Sequence, residues 1–312
     1  MPENYIEIEN LRKTYDGKKY ALDGLTFNTG KGEIYGLLGK NGAGKSTSIK
    51  IMTTLIGFNS GKGTVAGYDI VKEAAKIRKC IGVVQQEESY DFATVENNFK
   101  LAGLLWEVGR EERDSRMNEL IDLFGLDEIR KKRMFDLSGG QKKRVQVARE
   151  FMHDMKVIFL DEPTVGLDPI MRRKILDYIR QKANKGLTVL FTTQNLEEAD
   201  MICDRIGIIN NGMIVEEGTS SQLKNKYGNL RTLTIWAGDE SMLSKEQVQN
   251  IFSDLSFDQL EVKENVITII TKNLEKNLGK IMSLLSANNI QVERINVENP
   301  TLDDVFIKVV QK

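Results

Sequence analysis

The chain has 312 residues, enough for about two domains, with 40% apolar and 29% charged residues, the texture of a folded globular protein rather than a disordered one. Lys plus Arg number 44 against 45 for Asp plus Glu, so there is no basic footprint for nucleic acid. Two cysteines (Cys80 and Cys203) and one histidine (His153) are too few for a disulfide framework, a zinc site or a His-based catalytic triad. No stretch reaches the about 18 apolar residues of a membrane span, and the start, Met1 to Tyr5, lacks the basic-then-apolar pattern of a signal peptide.

Residues 5–9 alternate apolar and polar, which predicts a strand with one wet face. With Leu25–Asn28 beyond the turn-rich Tyr15-Asp16-Gly17, they predict an antiparallel layer over the first 30 residues. Glu33–Leu38, Cys80–Val84, Val157–Leu160 and Leu187–Phe191 are short, nearly continuous apolar runs, the signature of strands buried on both faces. Helical stretches between them predict a mainly parallel sheet covered on both sides. Residues 87–155 are rich in charge, with Leu120, Leu123 and Phe124 at helical spacing, and read as a helical insertion. His153, between that insertion and the next core strand, is expected at the surface.

The pattern shifts near residue 228, so the chain is expected to divide into 1–228 and 229–312. The second part predicts strand 231–237, helix 244–253, strands 257–263 and 266–271, helix 274–288, strand 290–297 and helix 301–311. That βαββαβ order is the ferredoxin-like one, with Asn265 in a tight turn and Pro300-Thr301 opening the last helix.

Gly39-Lys40-Asn41-Gly42-Ala43-Gly44-Lys45-Ser46 fits the phosphate-loop pattern in its required setting, after a buried strand and before a helix. Glycines let backbone N–H groups converge on phosphate, and the helix start adds its free donors and positive dipole end. Gly39, Asn41, Gly42, Gly44, Lys45, Ser46 and Thr47 are therefore the expected nucleotide contacts, with Lys45 on the outer phosphates and Ser46 on Mg²⁺. Asp161 and Glu162 follow a buried strand at the edge where open α/β sheets bind ligands. Alone such a pair is equally a cap or a turn. Beside a phosphate loop, Asp161 suits Mg²⁺ and Glu162 suits the base that activates water.

Leu137-Ser138-Gly139-Gly140-Gln141 opens a helical stretch, Lys142–Phe151; an ordinary Ser N-cap explains part of it. The full pentapeptide, between the phosphate loop and the Asp-Glu strand end, resembles the signature motif of ABC transporter ATPases. The resemblance runs from about residue 4 to 226 and implies a P-loop NTPase fold: a RecA-like core, an antiparallel β-layer and a helical subdomain. It implies that Tyr15 stacks on adenine, although a plain surface aromatic reads the same. It implies that Gln86 is the Q-loop glutamine, touching Mg²⁺ and the membrane subunit, and that Pro163–Asp168 leads into the D-loop. Asp168 also suits a cap for a helix starting at Pro169. One chain then carries a phosphate pocket and, separately, a signature loop. A head-to-tail homodimer would cap the ATP held by Lys45 with Ser138, Gly140 and Gln141 of the other copy.

Where the family has a histidine against the γ-phosphate, this chain has Gln194, which donates a hydrogen bond but cannot become cationic. The expectation is an ATP-hydrolysing subunit of an exporter, slowed rather than dead because Glu162 remains. It would serve a separate permease from the inner face of the cell membrane, docked near residues 86–106 including Trp106. The alternative is a degenerate module that binds ATP to regulate. Asn299–Phe306 resembles the ending of drug-export members of the family; residues 229–312 are expected to be accessory or regulatory.

Overall fold

A computed structural model describes residues 4–86, 92–227, 231–238, 244–253, 255–272, 274–298 and 301–310. Met1–Glu3, residues 87–91 of the anticipated docking stretch, the predicted boundary at Gly228 and the Asn299-Pro300 pair lie outside these. The chain forms two compact units, 1–220 and 221–312, so the division falls one helix before the boundary expected from sequence.

The first unit begins with β1 (Asn4–Thr14) and β2 (Tyr20–Gly30), then β3 (Ile34–Leu38), α1 (Lys45–Met52), β4 (Ser60–Val65), β5 (Tyr68–Asp69), α2 (Ala74–Arg78) and β6 (Ile81–Val84). Helices α3 (Val95–Leu105), α4 (Arg110–Leu123) and α5 (Gly139–Glu150) follow. Then come β7 (Val157–Asp161), α6 (Pro169–Asn184), β8 (Thr188–Thr193), α7 (Leu196–Ile202), β9 (Arg205–Asn210) and β10 (Met213–Gly218). Helix α8 (Ser220–Tyr227) opens the second unit.

A four-stranded antiparallel sheet has the order β2-β1-β4-β5, and a six-stranded sheet the order β10-β9-β3-β8-β7-β6. In the latter β9, β3, β8, β7 and β6 are parallel and only β10 runs against its neighbour. Strands β3, β7 and β8 are buried at every residue, as continuous apolar runs require when both faces are covered. Ile6, Ile8, Leu11, Leu25 and Phe27 of the antiparallel layer pack with Ile49 and Met52 of α1 and with Tyr35, Phe159 and Leu190 of the main sheet. Emptying a fully buried position such as Phe159 to alanine would cost about 3–5 kcal/mol. The resulting platform holds the C-terminal ends of β3, β7 and β8 rigidly at one edge.

The first strands are longer than their alternation suggests. β1 continues past a register shift between Ile8 and Leu11, where Asn10 is left-handed (φ 47°). That bulge breaks the period-two signal. His153, expected at the surface, is instead buried. Its ring stacks on Trp106 at 3.8 Å between centroids, and its Nε2 faces the Ile81 carbonyl at 3.4 Å. Half-buried Trp106 thus packs inward on His153, while Leu101, Leu104 and Leu105 of α3 are exposed.

After α8 the second unit has β11 (Arg231–Ala237), α9 (Lys245–Ile251), β12 (Gln259–Lys263), β13 (Val266–Thr271), α10 (Leu274–Ala287), β14 (Val292–Glu298) and α11 (Leu302–Val310). Its sheet is antiparallel throughout, in the order β12-β13-β11-β14. Leu233, Ile235, Ile267 and Ile269 meet Val248, Phe252, Ile281 and Leu285 of the helices in a separate core. In the β12–β13 turn the left-handed residue is Glu264 (φ 51°) rather than the neighbouring Asn265.

Candidate active site

Strand β3 delivers the chain into the Gly39–Gly44 loop, whose first and last glycines have no room for a side chain. A Cβ on Gly39 would lie 2.5 Å from the Ile209 carbonyl oxygen. Gly44 has φ +115° and a Cβ there would meet the Ala21 carbonyl oxygen at 2.7 Å. Gly44 caps α1 without a side-chain hydrogen bond, which leaves the helix-start donors to an outside anion. Lys45 Nζ donates to the carbonyls of Gly39 (2.6 Å) and Lys40 (3.2 Å). Burial pulls its pKa down, opposed by the charges of Glu162 and Asp161. Asn41, Gly42, Gly44, Lys45, Ser46 and Thr47 line one cleft of about 250 Å³ together with Ala21, Gln86 and Glu162.

At the end of β7, Asp161 is buried and accepts a 2.6 Å hydrogen bond from Thr192 Oγ1 of β8. Glu162 is also buried, and its backbone is left-handed (φ 51°), a conformation that costs a non-glycine residue on the order of 1 kcal/mol. Its N–H donates to both the carbonyl and the hydroxyl of Thr192 (3.1 and 3.2 Å), which holds the strained turn. The carboxylate accepts from two amides: Gln194 Nε2 on Oε1 at 2.6 Å and Gln86 Nε2 on Oε2 at 3.2 Å. A carboxylate can only accept, so it fixes which end of each amide faces it. The residues expected from sequence as base, Q-loop glutamine and histidine replacement therefore meet at one group.

Ser46, Gln86 and Asp161 border a second, smaller cavity of about 50 Å³ beside the first. One hydroxyl, one amide and one carboxylate are hard-oxygen donors of the kind Mg²⁺ takes when substrate phosphate and water complete its shell. Among the described residues no cluster of three or more His, Cys, Asp or Glu could hold a metal unaided.

The remaining expected residues stand apart from this cleft. Tyr15 is exposed on the β1–β2 turn, with Lys13 Nζ 5.1 Å from its ring centre. Ser138 and Gln141 form a capping box on α5: Ser138 Oγ accepts from the Gln141 N–H (3.3 Å) and Gln141 Oε1 from the Ser138 N–H (3.0 Å). A Cβ on Gly140 would lie 2.6 Å from the Gly166 carbonyl oxygen, so the signature loop sits directly on the segment before Asp168. Asp168 caps α6 through the Met171 N–H (2.9 Å), with Pro169 in the first turn, and this hydrogen bond holds its carboxyl below the ordinary range.

Sequence reasoning passed over three participants. Thr192 braces the Asp161 carboxylate and the Glu162 backbone N–H. Lys143, buried on α5, donates to the carbonyls of Gln85 (3.1 Å) and Gln86 (3.2 Å), with Gln146 also on Gln85 (3.1 Å), tying the signature helix to the Q-loop. Glu198 of α7 accepts from the hydroxyls of Thr193 and Thr164. A lysine within the apolar face of α5 was the available signal for the second; the threonine and glutamate have none.

A model of the ABC transporter family matches residues 22–165, and one described as the DrrA1-3-like ATP-binding protein C-terminal domain matches residues 218–310. The linearmycin resistance ATP-binding protein LnrL of Bacillus subtilis is 35% identical, with 97% of each chain covered. The daunorubicin resistance ATP-binding protein DrrA3 of Streptomyces coeruleorubidus is 33% identical over 98% of this chain and 96% of its own. Among solved structures, a dimeric ATP-binding cassette in a post-hydrolysis state bound to ADP and Pi aligns with a TM-score of 0.64 and 28% identity, over 69% of this chain and 98% of its own. The chain belongs to the ABC transporter ATP-binding proteins of the daunorubicin-resistance type, ATPases that drive transport by hydrolysing ATP.

Proposed function

We propose that two copies of this chain clasp two Mg-ATP head to tail and power the export of an antibiotic through a separate membrane permease. The Gly39–Thr47 loop holds the phosphates, with Lys45 on the outer ones, and Tyr15 stacks on the adenine. Ser46, Gln86 and Asp161 would hold Mg²⁺, which would supply positive charge against the phosphates. Ser138, Gly140 and Gln141 of the opposite copy close over the same nucleotide, and Asp168 lies beside that seam. Glu162 takes the proton of the attacking water, and Gln194 and Gln86 aim its carboxylate. ATP favours the closed dimer because only there are both halves of its site complete, and hydrolysis removes that differential affinity.

The single observation that carries this reading is the Glu162 carboxylate, buried at the cleft wall and held by one amide from the Gln86 turn and one from the end of β8. The names of the full-length relatives, resistance proteins for linearmycin and daunorubicin, support an antibiotic as the cargo. Exposed Leu101, Leu104 and Leu105 of α3, near the Q-loop in the sequence, suit a partner's apolar helix, and the permease supplies one. No helix among the described residues is long and apolar enough to cross a membrane, so attachment to the cytoplasmic face goes through that partner. We read the second unit as ferredoxin-like, from its element order and sheet order, with an accessory or regulatory role.

Phosphate release by the purified chain, and ATP-driven daunorubicin uptake into inverted vesicles carrying the cognate permease, test the proposal. Uptake should need both proteins and vanish in Glu162→Gln. Uptake by the permease without this chain would overturn it.

A further inference from the structure

One buried carboxylate near the site has no part in the chemistry above. Glu198 lies on the first turns of α7, and its side chain is 5% exposed. Its Oε2 accepts two hydroxyl hydrogen bonds, from Thr193 at the end of β8 and from Thr164 two residues beyond Glu162, both at 2.8 Å. Its Oε1 faces Arg172 Nε of α6 at 3.2 Å. Asn195, between Gln194 and α7, caps that helix by accepting from the N–H groups of Glu197 (3.0 Å) and Glu198 (3.4 Å). The Asn195 N–H in turn donates to Thr193 Oγ1 (3.0 Å).

These bonds converge on a single purpose. Gln194 is bracketed by Thr193 and Asn195, both tied to Glu198 or its helix turn. The segment that carries Glu162 toward Asp168 is tied to the same carboxylate through Thr164, and the helix that Asp168 caps through Arg172. A buried carboxylate with partners on three separate segments fixes their relative positions, because removing it leaves both hydroxyls without their acceptor and Arg172 without its counter-charge.

We propose that Glu198 is a positioning residue for ATP hydrolysis. It locks the strand end presenting Gln194 to the segment between Glu162 and Asp168, so that the two move as one piece when a second copy meets Asp168. This rests on reading Glu162 as the base and Gln194 as its amide partner.

The test uses the full-length protein with Mg-ATP, with turnover normalised to sites titrated by a fluorescent ATP analogue. Glu198→Ala should lower kcat per site about 10- to 100-fold, the scale of a displaced catalytic group. KM for ATP should stay within about twofold, since the phosphate loop is untouched. Glu198→Gln keeps an acceptor for both hydroxyls but turns an amide NH2 toward Arg172, so it should recover part of the loss and turn over faster than Glu198→Ala. The double variant Thr164→Val/Thr193→Val, which retains the carboxylate and the side-chain shapes, should lower kcat as Glu198→Ala does and serves if that variant fails to fold. An unchanged kcat per site in either, or a Gln variant as slow as Ala, overturns the proposal. Glu162→Gln is the control: if it still hydrolyses ATP, the reading of the base is at fault; if it is inactive while Glu198→Ala is not, only the positioning role falls.

Discussion

Gln194 Nε2 stands 2.6 Å from Glu162 Oε1, so the residue expected in place of the family's histidine is hydrogen-bonded to the carboxylate expected to be the base. A neutral amide directs that carboxylate but carries no charge to the γ-phosphate. An imidazole at this position can protonate and make a stronger, charge-assisted bond to phosphate oxygen. Gln194→His is therefore expected to raise steady-state phosphate release, and Glu162→Gln to lower it by about 100-fold or more while ATP still binds. A Gln194→His rate equal to or below the parent's contradicts this assignment of Gln194.

The left-handed backbone of Glu162 leads to a second prediction. Glu162→Gly removes both a buried carboxylate and an unfavourable φ, and the exposed Gln86 and Gln194 amides can return to water. The variant should be more stable by about 1 kcal/mol in urea denaturation and inactive in hydrolysis. A less stable variant would mean that the two amide bonds outweigh the strain.

The phosphate loop, the Asp-Glu strand end and the signature pentapeptide were legible because each depends on local spacing: a loop of glycines after one strand, two acids after another. The contacts that assemble them were not. Gln86, Glu162 and Gln194 are 76 and 32 positions apart in their hydrogen-bonded pairs, and only the parallel order of β6, β7 and β8 brings them together. His153 was misplaced for the same reason. Its burial comes from Trp106 and the Ile81 carbonyl, partners that no local pattern around residue 153 announces. The second unit was read almost element for element because its alternating strands carry their own period. The added length of β1 was hidden by a bulge.

His153 also sets a pH dependence. Burial lowers its pKa from 6.5 to about 4. The unfolded chain therefore binds a proton on this group that the folded one refuses, so stability falls as pH drops from 6.5 through 4 and is intact above 6.5. His153→Phe, which keeps a ring against Trp106, should show a smaller loss of melting temperature over that interval. Parallel curves for the two proteins would assign the acid sensitivity elsewhere.

Thr192 braces Asp161 and the Glu162 N–H from a fully buried position. Thr192→Val keeps the shape and removes the donor, leaving the Asp161 carboxylate one bond short. The expected loss is about 1–3 kcal/mol in chemical denaturation, accompanied by weaker Mg-dependent ATP binding in calorimetry. Unchanged values of both would remove Thr192 from the site.

Sedimentation velocity of the Glu162→Gln protein with and without Mg-ATP tests the shared-nucleotide account most directly, because nucleotide then persists in the site. A monomer without nucleotide that becomes a species of twice its mass with Mg-ATP, and fails to do so when Ser138 is replaced by arginine, is the predicted result. A monomer at saturating Mg-ATP, or a dimer indifferent to the Ser138 change, would contradict it.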